Sequence, residues 1–503
     1  MRARAWGGGE LTAGPLELAG LIVACGAAAA ALVAPDPRLR LAAMALALAI
    51  APVLVLGDVW DQPRVVAFRE SPAQIGAALV IGAGAIAGLA LCFRRFPEAF
   101  GIGAIAVLAL RVPVDVGGET ANLLVPLYAV IAGGVGGLLL APRARAGRRR
   151  EGGAPTVLRF ALAATLVLYA VQASYSEDVS NAIENVGFFL VPFAVLAALL
   201  FDVEWSRQDL GRVLVVIAVV SALGALVGIG QWLARDLFLN PELYDANQLH
   251  SYFRVNSVFF DPNIFGRYLA LAIVALAAYL AWDETRGSVL LAAGAAAVAL
   301  AGLTFSFSIT SCAALLAGLA MVAVLRWGWR GVAVTASLGV AGLIALLIAG
   351  GTPSSDIQSD RVLGSGRESL ISGGVELAGD RPLAGWGSGS FGAAFYAEIE
   401  EARTVVSHSE PITVAAEQGA IGLVVYVVLL IAALITLLGA HATRSPARTA
   451  IAACFVAMLV HSFGYAGFVI DPATWVLLGL GIALRAAAVD RPAPSRGAAS
   501  APA

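Results

Sequence analysis

The sequence predicts an all-α fold: a polytopic transmembrane bundle of about 14 spans (roughly 12–15), with one large extracytoplasmic loop between late spans. Hydrophobic residues make up 59% of the 503 residues and charged residues only 13%, about half of the roughly 25% typical of soluble domains. The apolar runs reach the length of about 20 residues that a spanning helix needs. Ten-residue segments of alternating polarity, which are typical of outer-membrane barrels, are absent.

Apolar runs and polar segments divide the chain into six regions. These are N-terminal transmembrane helices (1–141), a cytoplasmic Arg-rich loop (142–156), central transmembrane helices (157–350) with an outside loop (234–263), a large extracytoplasmic loop (351–411), C-terminal transmembrane helices (412–488) and a tail expected to be disordered (489–503). Within the first region, the run 98–113 carries Arg111 and is the weakest of the predicted spans.

The arginines predict the orientation, because loops rich in positive charge stay on the cytoplasmic side. All 32 basic residues are arginines, and the strongest marker is the cluster within 143–150. The later loops then alternate consistently and place 234–263 and 351–411 outside. Counting backward puts the N-terminus outside as well, although Arg2 and Arg4 argue against this.

Composition and residue spacing exclude several functions. So low a charged fraction excludes a soluble enzyme, and the net charge of −2 without a long basic face argues against nucleic-acid binding. The four cysteines lie in apolar runs without CxxC spacing, so no disulfide framework is predicted. The four histidines are too dispersed for a metal signature. We expect neither a metal nor a cofactor.

The outside loop 234–263 contains a cation that needs an explanation. Asp261 followed by Pro262 is the pattern of a helix start, in which the carboxylate caps free N–H groups. Arg254 lies in an aromatic segment next to the membrane, where an isolated charge is costly. Two anions fit this position: an internal carboxylate, or the phosphate of a ligand.

The large loop 351–411 contains further arginines, among them Arg361 and Arg367. Its segment 367–377 has a weak helical pattern and predicts a short helix along the membrane face. A glycine-rich run follows at 385–392. It has two interpretations: its backbone N–H groups approach a phosphate, or it is a turn that packs on the bundle.

His408 stands where this loop enters the next apolar run. Ser407 and Glu410 fit a capping box, and Ser409 is a rival N-cap, so we expect His408 in the first turn of a helix at the outer membrane face. The helix dipole disfavours an imidazolium there, and a neutral imidazole is suited to act as a base. The alternative is a solvated loop histidine.

Three further polar side chains lie within predicted spans. Glu417 and Gln418 are expected either to line the site or to pair with Arg111 or Arg159. His461 is more typical of an interhelical hydrogen bond than of catalysis.

These motifs resemble the O-antigen ligase and polymerase family of polytopic membrane glycosyltransferases. Ligases of that family carry His, then Asn, Ser or Gln, then nine residues, then Gly-x-x-Gly, at the end of a large periplasmic loop. His408, Ser409, Gly419 and Gly422 fit this spacing, whereas the Thr that often follows is Leu423 here.

Two other segments, within a resemblance that covers about 200–465, are similar to the family. The stretch Gly366–Leu370 followed by Arg381–Phe391 resembles its pattern of Arg, short helix and Pro-Leu-x-Gly-x-Gly-x-Gly-x-Phe, although a Trp common after the Arg is missing. Arg254 through Pro262 and Asn263 resembles the family's other Arg segment before a Pro-Asn helix start.

The resemblance implies a reaction at the outer face of the cell inner (cytoplasmic) membrane. A glycan moves from an undecaprenyl-diphosphate-linked donor to a hydroxyl of a glycan, lipid or protein acceptor, without nucleotide sugars and in cell-surface polysaccharide biosynthesis. Arginine clamps phosphates bidentately, so Arg254 and Arg367 are the candidates for holding the donor. His408 is the candidate base. The further candidate substrate-binding residues are Asn263, Arg361, Gly385, Gly387 and Ser409.

A transporter that flips the lipid-linked oligosaccharide is the alternative function. Transporters place charged groups at the midplane and often contain internal repeats, whereas no repeat is evident here and the charges concentrate in outside loops. Ligase and polymerase remain equally open.

Overall fold

The computed structural model describes residues 14–60, 65–66, 69–116, 119–141, 156–237, 247, 252–282, 286–337, 357–399, 407–439 and 442–489. Its helices are α1 (Pro15–Val33), α2 (Pro37–Asp58), α3 (Pro72–Arg95), α4 (Glu98–Ala106), α5 (Val125–Leu139), α6 (Val157–Ala173), α7 (Val179–Asn185), α8 (Val191–Leu200), α9 (Arg207–Ala234), α10 (Pro262–Leu280), α11 (Arg286–Ser306), α12 (Ile309–Trp327), α13 (Ile357–Asp380), α14 (Phe391–Ile399), α15 (Glu410–Leu438), α16 (Pro446–Ser462) and α17 (Pro472–Val489). A π turn (Val186–Leu190) joins α7 to α8, and a 3-10 turn (Ala442–Arg444) precedes α16.

The predicted helical membrane architecture is confirmed. Among the described residues, nine helices are long and apolar enough to cross a membrane, with α7 and α8 counted as one continuous helix. Four shorter apolar helices, α5, α6, α16 and most of α17, accompany them. The chain is therefore a multi-pass membrane protein. Most of the predicted Arg-rich loop and the tail after 489 lie outside the described residues.

The run 98–113, the weakest of the predicted spans, does not form one spanning helix. Only α4, nine residues long, is helical, and the chain then forms an antiparallel hairpin of β1 (Val112–Val116) and β2 (Glu119–Leu123). β-branched residues alternate through β1, and Gly117-Gly118 separates the strands, which is a typical hairpin signal. The all-α prediction missed this signal.

The helix in the large loop also differs from the short helix that was predicted there. Helix α13 extends over 24 residues, and α14 follows it after a turn. Leu370 and Leu377, seven residues apart, lie on one face of α13 and are buried against Phe391, Phe395 and the start of α15. The apolar stripe thus packs on protein.

Small residues allow the helices around the site to pack closely. A Cβ on Gly302 of α11 would lie 2.7 Å from the Ala225 Cβ of α9, and one on Gly318 of α12 would lie 2.5 Å from Val274 of α10. Close approach at small residues is the usual way in which transmembrane helices pack. This close packing holds the four helices α9, α10, α11 and α12 together as one group. Helix α16 packs against α10 and α12.

One end of the bundle collects the starts of α10, α12, α15 and α17 and the ends of α11 and α16; we call it the site end. Contacts between termini fix it: Glu410 at the start of α15, for example, accepts the N–H of Phe468 in the loop before α17 (3.0 Å). At the opposite end, Arg326 of α12 donates to the carbonyl of Ala281 after α10 (2.9 Å).

Candidate functional site

Arg254 and Asn263, predicted separately from the sequence, are brought together. The guanidinium of Arg254 donates to Asn263 Oδ1 (3.2 Å) through Nη2 and to the carbonyl of Ser306 (3.0 Å) through Nε. Asp261 caps α10 by accepting the N–H of Asn263 (2.5 Å), so its predicted capping role is confirmed. The cap sets the direction of Asn263, and Asn263 in turn orients the arginine.

Two serines extend this pair across the bundle. Ser308 Oγ donates to Asn263 Oδ1 (2.8 Å) and lies 2.8 Å from Ser311 Oγ. Ser311 Oγ is 3.2 Å from His461 Nε2. His461 is fully buried, so its interpretation as an interhelical hydrogen bonder is confirmed. Sequence reasoning missed both serines, because a serine inside an apolar run carries no distinctive signal.

His408 lies two residues before α15, with a φ of +59°. The helix begins at Glu410 with Ser409 as N-cap, so the prediction that His408 belongs to the first helical turn is wrong. The reason is local: Ser407 Oγ accepts the N–H of Ser409 (3.0 Å) and donates to its carbonyl (2.7 Å), which closes a tight turn around His408. Positive φ is uncommon outside glycine, and such residues cluster at functional sites.

The predicted capping box of Ser407 and Glu410 is wrong as well. Glu410 is buried, and one carboxylate oxygen accepts the N–H groups of Gly467 (2.5 Å) and Phe468 (3.0 Å). The carboxylate therefore binds the loop between α16 and α17 instead of the N-cap. This contact holds the turn that carries His408 against that loop.

Tyr465 lies at the centre of the groups gathered here. Its ring centroid is 6.4 Å from that of His408, 5.7 Å from that of His461 and 5.7 Å from the Arg267 Cζ. Burial raises the pKa of the Tyr465 phenol above its ordinary value, so the group stays neutral at ordinary pH. Through Tyr465, the residues around Arg254 and the residue His408 form one continuous cluster.

Arg267 and Asp471 form a buried ion pair at the edge of this cluster. The other carboxylate oxygen of Asp471 accepts the N–H of Ala473 (2.7 Å), as expected for a residue that caps a helix start. Neither Arg267 nor Asp471 was among the candidate site residues named from the sequence.

The glycine-rich run packs on the bundle. The N–H of Gly385 donates to the carbonyl of Arg381 (3.0 Å), and that of Gly387 donates to the carbonyl of Glu417 (2.8 Å). Both backbone donors are therefore used inside the protein, which favours a packing turn over a phosphate cradle at these two positions. A Cβ on Gly385 would lie 2.4 Å from the Glu417 backbone, so this close approach requires glycine.

The run docks into a break in α15. Gly419 has non-helical backbone angles (φ 62°, ψ −160°) inside the helix. The N–H groups that the break releases, those of Ala420 and Ile421, donate to the carbonyls of Pro382 (2.8 Å) and Leu383 (3.2 Å). The first glycine of the Gly-x-x-Gly motif thus marks the place where the loop replaces one turn of helical hydrogen bonds.

Among the residues that the structure describes, Glu417 pairs with no arginine, contrary to one of its two expected roles. Its carboxylate accepts the N–H groups of Gly389 (2.9 Å) and Phe391 (3.1 Å), at the end of the same loop. Gln418 lies 3.4 Å from Ser388 and also faces the loop. Arg159 instead donates to a carbonyl at the end of α1.

Replacing Gly419 with alanine is expected to destabilise the fold by about 2–5 kcal/mol, because φ is positive and a Cβ would lie 2.5 Å from the Leu383 backbone. Thermal unfolding of the purified protein in detergent measures the effect. The matched control is Gly82→Ala in α3, where nothing lies within 4 Å of the added Cβ. An equal melting temperature for both variants would contradict the role given to the break.

Of the remaining predicted site residues, Ser409 is the buried N-cap of α15. Arg361 and Arg367 are residues of α13. The structure describes their backbone but not their side chains. No family model and no curated protein matches the chain.

Proposed function

We propose that the chain is a metal-independent, lipid-diphosphate-dependent glycosyltransferase of the O-antigen ligase or polymerase type. The observation that carries this proposal is the cluster at the site end. Arg254 and His408 lie far apart in sequence, yet both belong to one cluster through Asn263, His461 and Tyr465. An arginine and a histidine that belong to one network of contacts at a membrane face suit the transfer of a group from an anionic lipid carrier.

The reaction assigns a separate task to each group. The acceptor hydroxyl oxygen attacks the anomeric carbon, the bond from that carbon to the phosphate oxygen breaks, and undecaprenyl diphosphate leaves with the electron pair. His408 takes the proton of the acceptor hydroxyl. Arg254, with Arg367 from α13, stabilises the charge of the leaving diphosphate, the role that a divalent cation plays in many glycosyltransferases. Direct attack inverts the anomeric carbon.

The proposal places the site end outside the inner membrane, in a topology of about 14 spans. In support, Arg326 and Arg448 lie at the opposite end, as cytoplasmic arginines should. The bilayer, the lipid-linked donor and a hydroxyl acceptor are the partners. The ligase and polymerase forms differ only in the acceptor.

Cysteine labelling in intact cells tests this orientation. In a background without the exposed Cys92 and Cys312, a cysteine at position 375 in α13 should react with a membrane-impermeant maleimide. A cysteine at position 147 should react only after the cells are permeabilised. The reverse pattern would contradict the proposed direction of transfer.

The direct test of the activity uses purified protein in lipid nanodiscs with an undecaprenyl-diphosphate oligosaccharide. Mass spectrometry should detect transfer of the glycan when an acceptor glycan or lipid is added. The proposal is supported if the glycan leaves the lipid diphosphate only when acceptor is present, and if His408→Ala abolishes this transfer. In a second assay, the protein is placed in sealed vesicles. Movement of the intact donor across the vesicle membrane, without any glycan transfer, would instead support the transporter.

A further inference from the structure

A small cleft of about 30 Å³ lies beside the cluster, between α10, the start of α17 and the segment that follows α4. Its lining includes Leu108, Arg111, Phe259, Arg267, Tyr268 and Asp471. The resemblance to the glycosyltransferase family does not reach Arg111, and the roles proposed above do not use this cleft. A space of this size holds one or two water-sized groups, so it admits a carboxylate but not a whole sugar ring.

The charges of the lining residues that the structure describes do not balance. Asp471 is already paired with Arg267, so the guanidinium of Arg111 adds one net positive charge. Arg111 Nε is buried and has no hydrogen-bond acceptor among the described residues, and the Arg111 Cζ lies 5.4 Å from the ring centroid of Phe259. A buried donor without an acceptor is destabilising, so this position gains from an added anion.

The charges around Arg111 also favour the binding of an anion. Burial lowers the pKa of its guanidinium, and the nearby charge of Arg267 lowers it further, whereas Asp471 raises it. An anion in the cleft would act in the same direction as Asp471 and stabilise the charged guanidinium.

The lining also limits the kind of anion. A single uncompensated cation matches one negative charge better than the several charges of a diphosphate. His408 lies within reach of the same ligand: Arg267 and His408 are 5.7 Å and 6.4 Å from the shared Tyr465 ring, hence at most roughly 12 Å apart.

We propose that this cleft binds the carboxylate of a uronic acid in the glycan, with Arg111 as its principal donor. The identity of the ligand as a glycan rests on the proposed function. Binding itself requires no transfer, so a binding assay separates failure of this inference from failure of the activity.

Saturation-transfer NMR on the nanodisc protein tests the inference, with a trisaccharide that contains glucuronic acid and its carboxyl-reduced counterpart as probes. The acidic trisaccharide should bind at least about tenfold more tightly than the reduced one. Arg111→Gln should remove that preference, while Arg326→Gln at the opposite end should keep it. Leu108→Trp, which fills the cleft without changing charge, should weaken binding and remains informative if Arg111→Gln does not fold.

Equal binding of both trisaccharides to the wild-type protein would overturn the assignment. Inorganic diphosphate that competes for the site and loses affinity in Arg111→Gln would overturn it as well, since the cleft would then hold the donor's phosphates. Retained preference for the acidic trisaccharide in Arg111→Gln would show that another residue binds the carboxylate.

Discussion

His408→Ala should reduce glycan transfer about 10²–10⁴-fold while donor binding is preserved, because the arginines, not the imidazole, hold the diphosphate. His408→Gln should be nearly as poor, since an amide forms hydrogen bonds but takes up no proton at neutral pH. Transfer by the wild-type protein should fall as acid protonates the imidazole, because a base must be neutral to accept the acceptor's proton. Transfer rates against pH and donor affinity, measured in parallel, check these expectations.

The backbone at His408 requires a third variant. With φ at +59°, alanine strains the turn, whereas asparagine is among the residues that tolerate this conformation. His408→Asn therefore removes the imidazole and keeps the turn, and it should be as inactive as His408→Ala. If His408→Asn transfers at the wild-type rate, the residue serves the turn alone, and the base has to be sought elsewhere.

Arg254→Ala should weaken donor binding about 10- to 100-fold, because it removes charge-assisted hydrogen bonds at a membrane face. Arg254→Lys keeps the charge but loses the planar fork that bonds both Ser306 and Asn263, so it should recover little of the affinity. Arg367→Lys should lower turnover for the same reason. Titration of a fluorescent undecaprenyl-diphosphate analogue measures the affinities.

Arg326→Ala provides the control for Arg254, since it removes an arginine that also donates to a carbonyl, but at the opposite end of the bundle. Its donor affinity should equal that of the wild type. Wild-type affinity in Arg254→Ala, with a melting temperature unchanged, would show that Arg254 only ties α10 to the end of α11.

Much of the architecture was predictable because its signals are local. Long apolar runs predict the spans, and the Asp261-Pro262 pair predicts the start of α10. Arg254 and Asn263 lie on either side of that helix start, so their proximity follows from the same short segment. The hairpin after α4 was missed although its alternating β-branched residues and Gly-Gly were visible.

The remaining parts of the site depend on contacts between distant segments. Arg267 and Asp471 are 204 positions apart, and the serine bonded to His461 is 150 positions from it. No local pattern predicts such pairs. The break at Gly419 likewise has no helix-breaking sequence of its own beyond one glycine, because the loop that fills it is supplied by residues 382–387.

That break has a consequence for the order in which the protein is built. Gln172 of α6 donates to the carbonyls of Ala384 and Gln418, which lie 212 and 246 positions later. Helix α6 enters the membrane early in synthesis. The side-chain amide of Gln172 can form these hydrogen bonds only after both partner residues have been synthesised. The loop docks only after α15 has been inserted, and α15 leaves its backbone groups around Gly419 unbonded until the loop arrives. Assembly of the site is thus one of the last events of biogenesis, and chains truncated before α15 should insert their earlier helices yet lack the docked loop.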